Sequence, residues 1–351
     1  VPVRAQAAMR DLATSDLYRL RSVGDVRLSP DGRRIAYSVT SADSPGRPRS
    51  RAWITDLDTG RSTPLGNESS NGRWSPDGSL VAWLDRGDDA GEGAGLMVSQ
   101  PDGSDARLLV ATSGTNHPLP GEGERISWSP DGTRIAFVSS TPGPETDEAS
   151  GDPMVITRYL YKPTASEGMT RFNDNRRLHV FVADLAAHPG QRVRQLTDGP
   201  YYEHSIAWSP RGDEILFVSN REPDPDRVFN NDLFAVDVAD RTVRRLTDTR
   251  SAEYQPAWSP DGRTIAFLGT TRPLTSSETT MEDTHVWVMD AEGRNRREAG
   301  AAIDNRQERP AWSPEGDALY FTVEEQGSVR LYRLPASGGA PRRGPRGPAS
   351  R

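Results

Sequence analysis

AWSPDGRTIAF, residues 257–267, reads as a strand, a tight turn and a second strand. The phrase recurs as LSPDGRRIAY (28–37), WSPDGSLVAW (74–83), WSPDGTRIAF (128–137), WSPRGDEILF (208–217) and WSPEGDALYF (312–321), making six copies. In each, an apolar strand ends in Trp, or in Leu28 in the first copy, before the chain turns. Proline presets φ at the second turn position, Asp tolerates the third, and Gly supplies the positive φ needed to re-enter a strand. The run that follows, such as Ile135-Ala136-Phe137 or Ile265-Ala266-Phe267, suits a buried second strand. Arg211 and Glu315 replace the Asp in copies four and six. That substitution predicts an exposed, weakly constrained turn position and argues against a set of carboxylate ligands.

Two further strands recur between copies. The third reads RAWITDLDTG (51–60), GLMVSQPDG (95–103), LHVFVADLA (178–186), DLFAVDVAD (232–240), HVWVMDAEG (285–293) and VRLYRLPAS (329–337). The fourth is short and polar-rich, clearest in RVRQLTD (192–198) and TVRRLTD (242–248). Successive turn prolines at 30, 76, 130, 210, 260 and 314 are 46, 54, 80, 50 and 54 residues apart. Four antiparallel strands in a period of roughly 40–55 residues are the signature of a β-propeller. The fold expected is therefore all-β, with six complete four-stranded blades that form a whole ring or six of seven. Trp74, Trp128, Trp208, Trp258 and Trp312 are expected in the blade core. Burying one such ring is worth roughly 4–6 kcal/mol before conformational entropy is counted. An incomplete ring would leave strand edges open and favour homo-oligomers.

The 80-residue interval breaks the period, and its excess falls at 139–177, in the third blade. Its MVITRYLY stretch (154–161) is apolar and aromatic enough to predict a strand or helix of its own. Loops that depart from a repeat commonly carry what is specific to a protein. The domain reading is a short N-terminal stub (1–15), a propeller (16–338) and a Gly/Pro/Arg-rich tail (339–351). Ala5-Gln6-Ala7 has the small-x-small pattern that signal peptidase reads, which predicts an exported, periplasmic or secreted protein, with a cytoplasmic one as the alternative.

Composition narrows the function. The net charge is −7, Arg is interleaved with Asp and Glu, and Lys162 is the sole lysine, a balance that argues against nucleic-acid binding. Mean hydropathy is −0.70, and no apolar run approaches a membrane span. With no cysteine, disulfides and thiolate chemistry are excluded. No G-x-S-x-G nucleophile elbow, P-loop or dinucleotide motif is present. The histidines His117, His179, His188, His204 and His285 lack metal-ligand spacing, and His179 and His285 occupy matching third strands. No metal, cofactor or self-contained catalytic set is predicted.

Three stretches carry a resemblance: DLYRLRSVGDVRLSPDGRRIAYSV (16–39), TRYLYKP (157–163) leading to RRLHVFVADL (176–185), and RQLTDGPYYEHSIAWSPRGDEILFVSNREPD (194–224). Together with the repeated AWSPDG phrase they resemble the N-terminal propeller of prolyl-oligopeptidase-family serine peptidases, nearest the acylaminoacyl and dipeptidyl peptidase branch. The WSPDG phrase is shared with TolB-like propellers, so a stand-alone protein-binding module is the alternative. The resemblance implies an α/β-hydrolase domain bearing a Ser-Asp-His triad, absent from these residues, as the propeller's partner. It also implies short peptides as substrates and a gating role for the propeller.

In such propellers the loops joining strand four to the next blade, and strand two to strand three, open on the face that meets the hydrolase domain. On this chain that face takes in Tyr201, Tyr202, Glu203 and His204, and Arg158, Tyr159 and Tyr161 of the insertion. By its chemistry Glu203 could hold a peptide α-ammonium, Arg158 a carbonyl or carboxylate, and the tyrosines side chains. Ordinary loop packing is the competing reading for each. The dipeptidyl branch carries a Glu-Glu pair in a comparable loop where this chain has Glu203-His204, a departure from strict dipeptidyl release.

Overall fold

A computed structural model describes residues 13–43, 48–87, 93–118, 123–161, 172–270, 272–273 and 283–344. The signal-like Ala5-Gln6-Ala7, part of the insertion and residues 345–351 of the tail lie outside the described residues. The protein is an all-β six-bladed propeller, each blade a four-stranded antiparallel sheet. The blades span residues 21–65, 69–111, 126–195, 203–245, 253–298 and 307–343. The chain divides into two compact units between Leu108 and Leu109, within the fourth strand of blade 2: blade 1 and the first three strands of blade 2 lie in one, blades 3 to 6 in the other. Among the described residues the helices are three short turns, Thr14–Arg19, Thr146–Ser150 and Pro189–Gln191. None is long and apolar enough to cross a membrane.

Two boundaries differ from the sequence reading. The fourth strand of blade 6, Arg342–Arg343, lies beyond residue 338 and pairs with Tyr332 and Arg333. Strands run to Thr141 and resume at Arg177, so the insertion proper is shorter than 139–177. The MVITRYLY stretch forms neither strand nor helix. Side-chain anchors described below hold it in place of a backbone ladder.

The repeated turn explains its own spelling. In four copies the Ser hydroxyl donates to the Asp two residues on, at 2.5–2.6 Å for Ser29–Asp31, Ser75–Asp77, Ser129–Asp131 and Ser259–Asp261. The same serine accepts the amide of the fifth residue on, as in Leu80 N–H to Ser75 Oγ at 2.9 Å. The glycine amide closes the turn onto the Ser carbonyl. Copies four and six keep the carboxylate but move it: Ser209 donates to Asp213 at 2.7 Å and Ser313 to Asp317 at 2.6 Å. The exposed position itself tolerates Arg and Glu; what each hairpin keeps is one carboxylate for its serine. Asp77 and Asp131 titrate near 2 because the bond from serine favours the charged form, with backbone amides adding to it.

Packing runs from blade to blade. Alternate residues of one strand face opposite junctions. Phe217 joins a cluster with Val180, Ile206 and Trp208 between blades 3 and 4, while Leu216 and Val218 join Trp258 and Phe267 between blades 4 and 5. Leu319, Phe321 and Leu334 join Val286 and Val288 between blades 5 and 6. In the first unit, Ala52 and Ile54 of blade 1 meet Val81 and Trp83 of blade 2. Trp128, Trp208 and Trp258 are buried, whereas Trp74 and Trp312 are half-buried. The half-buried pair send their indole N–H groups to a carbonyl of the preceding blade, Arg27 and Ala257 respectively, each at 3.1 Å.

Candidate functional site

Glu203 opens the first strand of blade 4, five residues before Trp208. Ser205 takes φ 53° and, with Ile206, faces the single Phe217, a bulge that bends the strand entry. The Glu203 side chain is 0% exposed. Its Oε2 lies 2.6 Å from His179 Nδ1 and accepts Thr197 Oγ1 at 3.2 Å; its Oε1 accepts Arg221 Nη2 at 3.1 Å. Thr197 in turn accepts the Val180 amide at 2.9 Å. Glu203 therefore fastens blade 4 to the third strand of blade 3.

The same position does the same work elsewhere. Five residues before Trp258, Glu253 accepts Thr247 at 3.1 Å and Thr249 at 2.7 Å, and Thr247 accepts the Leu233 amide at 2.9 Å. Before Trp312, the Gln307 side chain accepts the Val286 amide at 2.9 Å and donates to Gly300 and Ile303 carbonyls. Before Trp74, Ser69 Oγ accepts the Ala52 amide at 2.9 Å. The sequence reading gives Glu203 a peptide α-ammonium to hold; here its neighbours are His179, Thr197 and Arg221. Its carboxylate is sealed in, and a ligand would first have to displace Arg221. His204 is buried too, its Nδ1 3.2 Å from Ser205 Oγ.

Arg158 and Tyr202, 44 residues apart in sequence, do meet. Arg158 Nη1 donates to Tyr202 Oη at 2.8 Å, and the guanidinium forks onto Asp226, with Nε to Oδ2 at 3.1 Å. Asp226 also accepts the Leu160 amide at 3.1 Å, so one buried carboxylate holds both side chain and backbone of the insertion. Arg177 donates to Tyr202 Oη at 3.2 Å and to Glu145 at 2.6 Å. His117 stacks on Tyr202, ring centroids 3.7 Å apart and planes 18° from parallel.

Burial, and then the Arg158 charge, push the His117 imidazole down to about 3, so it is neutral in water. Burial also raises the Tyr202 phenol, outweighing the two arginines, so the hydroxyl stays protonated. Burial disfavours the Asp226 charge, but Arg158 and the Leu160 amide prevail and lower its pKa. The cluster holds a loop in place.

What the anchor presents is apolar and aromatic. Met154, Val155, Ile156, Tyr159, Tyr161 and Phe172 are all exposed, Tyr159 to 63%. Arg227 lies 4.9 Å above the Tyr159 ring, and Tyr161 stacks on Phe172. Tyr201 sits apart from this ridge under Arg221, 4.4 Å from its ring. The sequence reading missed Asp226, Arg177 and His117. Only the Arg158 guanidinium, which needs a buried counter-ion, hinted at an acidic partner. Among the described residues no group of side chains could hold a metal ion.

No family model matches the sequence. The chain is 27% identical over 236 residues to the uncharacterized peptidase YuxL of Bacillus subtilis, covering 64% of this chain and 34% of that protein. It is 27% identical over 222 residues to dipeptidyl-peptidase 5 of Porphyromonas endodontalis, covering 59% and 30%. Its sequence relatives are peptidases. The chain spans about a third of their length. In fold it matches acylaminoacyl peptidase of Pyrococcus horikoshii, with TM-score 0.64, 21% identity, and coverage of 90% of this chain and 44% of that one. A putative TolB of Agrobacterium tumefaciens also matches, with TM-score 0.51, 17% identity, and coverage of 79% and 80%.

Proposed function

We propose that this chain is the propeller portion of an exported serine peptidase of the prolyl-oligopeptidase family. Its insertion end covers an α/β-hydrolase domain and admits short peptides. The observation that carries this reading is the sequence likeness to two peptidases, which falls on a propeller whose sequence has no G-x-S-x-G elbow. The ridge of Met154, Val155, Ile156, Tyr159 and Tyr161 supports it. Exposed apolar ridges on otherwise polar proteins mark interaction surfaces. In this reading Tyr159 and Tyr161 contact the hydrolase domain or the peptide, Arg158 and Tyr202 set the ridge's position, and Tyr201 packs under Arg221. His204 and Glu203 belong to the frame.

The test starts with the reading frame beyond codon 351 and a hydrolysis assay on the full-length product. A downstream Gly-x-Ser-x-Gly elbow and cleavage of short acyl- or dipeptidyl-anilides are expected. In that protein, Tyr159→Ala with Tyr161→Ala should raise KM for short peptides with little change in kcat. A stop codon directly after Arg351 would overturn the peptidase reading and leave a protein-binding propeller.

A further inference from the structure

The blade junctions of the second unit are sealed by different residues at one position, and one junction is left unsealed. The first residue of the second strand is Arg134 in blade 3, Glu214 in blade 4 and Thr264 in blade 5, each paired with the last residue of the third strand. Arg134 lays its guanidinium 5.1 Å over the Trp208 ring of the next blade. Glu214 instead grips Arg244 of its own fourth strand at 3.0 and 2.9 Å, and Arg244 reaches the Ala291 carbonyl of blade 5 at 3.1 Å. Thr264 is too short for either arrangement. Its neighbour Arg297, the counterpart of Arg244, reaches the Ala336 carbonyl of blade 6 at 3.5 Å.

The consequence is a groove of about 400 Å³ between blades 5 and 6, at the hairpin end away from the insertion. That volume is within the range of small-ligand sites. Trp312 forms part of its wall and stays half-buried where Trp208 and Trp258 are covered. Val288, Leu319 and Leu334 supply the remaining apolar lining. Two carboxylates, Asp261 and Asp290, stand in the wall against one cation, Arg297. The Ser259 hydroxyl and then the Arg263 amide lower the Asp261 pKa. Burial opposes the Asp290 charge, yet the Arg294 amide and side chain, with Asn295, lower it as well. Both carboxylates are therefore ionised at neutral pH.

We propose that this groove is a docking site for an arginine side chain presented by another polypeptide. Its guanidinium would lie over Trp312 as Arg134 lies over Trp208. The fit has two parts: a half-buried indole in the groove wall flanked by acid, and an internal precedent for the same packing two junctions away. A flat cation over Trp gains from the ring quadrupole, and its stem covers apolar surface.

The test is an NMR titration of the whole chain, following the Trp312 indole N–H, with N-acetyl-arginine methylamide as probe and its citrulline analogue as control. The arginine probe should shift the resonance saturably, and the neutral analogue should bind about tenfold more weakly. Thr264→Arg should fill the groove from within, and Thr264→Glu should pair with Arg297 as Glu214 pairs with Arg244. Either variant that folds should lose the response. Equal binding of arginine and citrulline probes, no saturable shift, or an unchanged response in a folded variant overturns the proposal.

Discussion

Moving the carboxylate from residue 211 to residue 213 in the fourth hairpin is open to a transplant experiment. In Asp213→Ala, the Ser209 hydroxyl loses its 2.7 Å acceptor, and Arg211 loses its 3.1 Å contact with that carboxylate. A hydrogen bond to a charged group is worth about 1.5–3 kcal/mol, but the Asp213 side chain is 47% exposed, so about 1–2 kcal/mol is expected. For a cooperative unit of this size that is a fall in Tm of roughly 2–8 °C. Arg211→Asp added to Asp213→Ala rebuilds the spelling of the other copies. Asp at 211 takes the serine bond and the amide of residue 213, as Asp131 takes Ser129 and Thr133. Recovery to within about 0.5 kcal/mol of the parent is expected, measured by thermal and urea unfolding. Arg211→Ala separates the surface ion pair from the clasp and should cost little. A double variant no more stable than Asp213→Ala, or an Arg211→Ala loss equal to that of Asp213→Ala, would refute the reasoning.

The remaining predictions concern the frame and the anchor. Burial, and then the nearby Asp232 charge, raise Glu253 from 4.5 to about 8. Its folded-state pKa exceeds the unfolded one, so its contribution is complete below about pH 4.5 and fades as pH climbs through 8. The parent should lose Tm as pH rises from about 4.5 to about 8, and Glu253→Gln should flatten that slope; parallel curves would count against the assignment. Asp77 and Asp131 have lowered values, so their contribution is present above about pH 4 and lost as the pH falls through about 2. Asp77→Asn should remove part of the acid-side loss in a pH series of urea melts. Asp226→Ala leaves Arg158 buried without its counter-ion and should free the insertion. Faster proteolysis and hydrogen exchange in the insertion, with blade cores unchanged, is the expected readout. A Cβ at Gly300 would lie 1.9 Å from Gln307 Oε1, so Gly300→Ala should destabilise by displacing that side chain from the Val286 amide.

Hairpins, strand order and blade number were legible because they rest on local chemistry: turn residues, period-two burial and a repeat length. The clasp was only half legible. Reading residue 211 alone made the carboxylate look dispensable, although WSPRGD and WSPEGD both supply one two residues later. The anchor was not legible, because Arg158 and Asp226 lie 68 residues apart and nothing local ties them. The ridge's exposure could not be read either. MVITRYLY has the composition of a core strand, and only the absence of a pairing partner shows that it is a surface.

Glu203 shows how a repeat separates frame from function. Counted from the chain terminus it is a lone acid in a loop beside two tyrosines, a reasonable ligand for an ammonium group. Counted from Trp208 it is the fifth residue upstream, and Glu253, Gln307 and Ser69 stand at the same place before Trp258, Trp312 and Trp74. Each accepts from, or backs the acceptor of, a third-strand amide in the preceding blade. A role that recurs at junction after junction cannot confer a specificity found at one of them. Arg158, Tyr159 and Tyr161 fall in the insertion, outside the four-strand period, and so have no such counterpart. On the proposed function, substitutions that aim at activity belong on the ridge. Glu203→Ala, by contrast, should lower stability through the sealed His179 and Arg221 contacts whether or not a substrate is present.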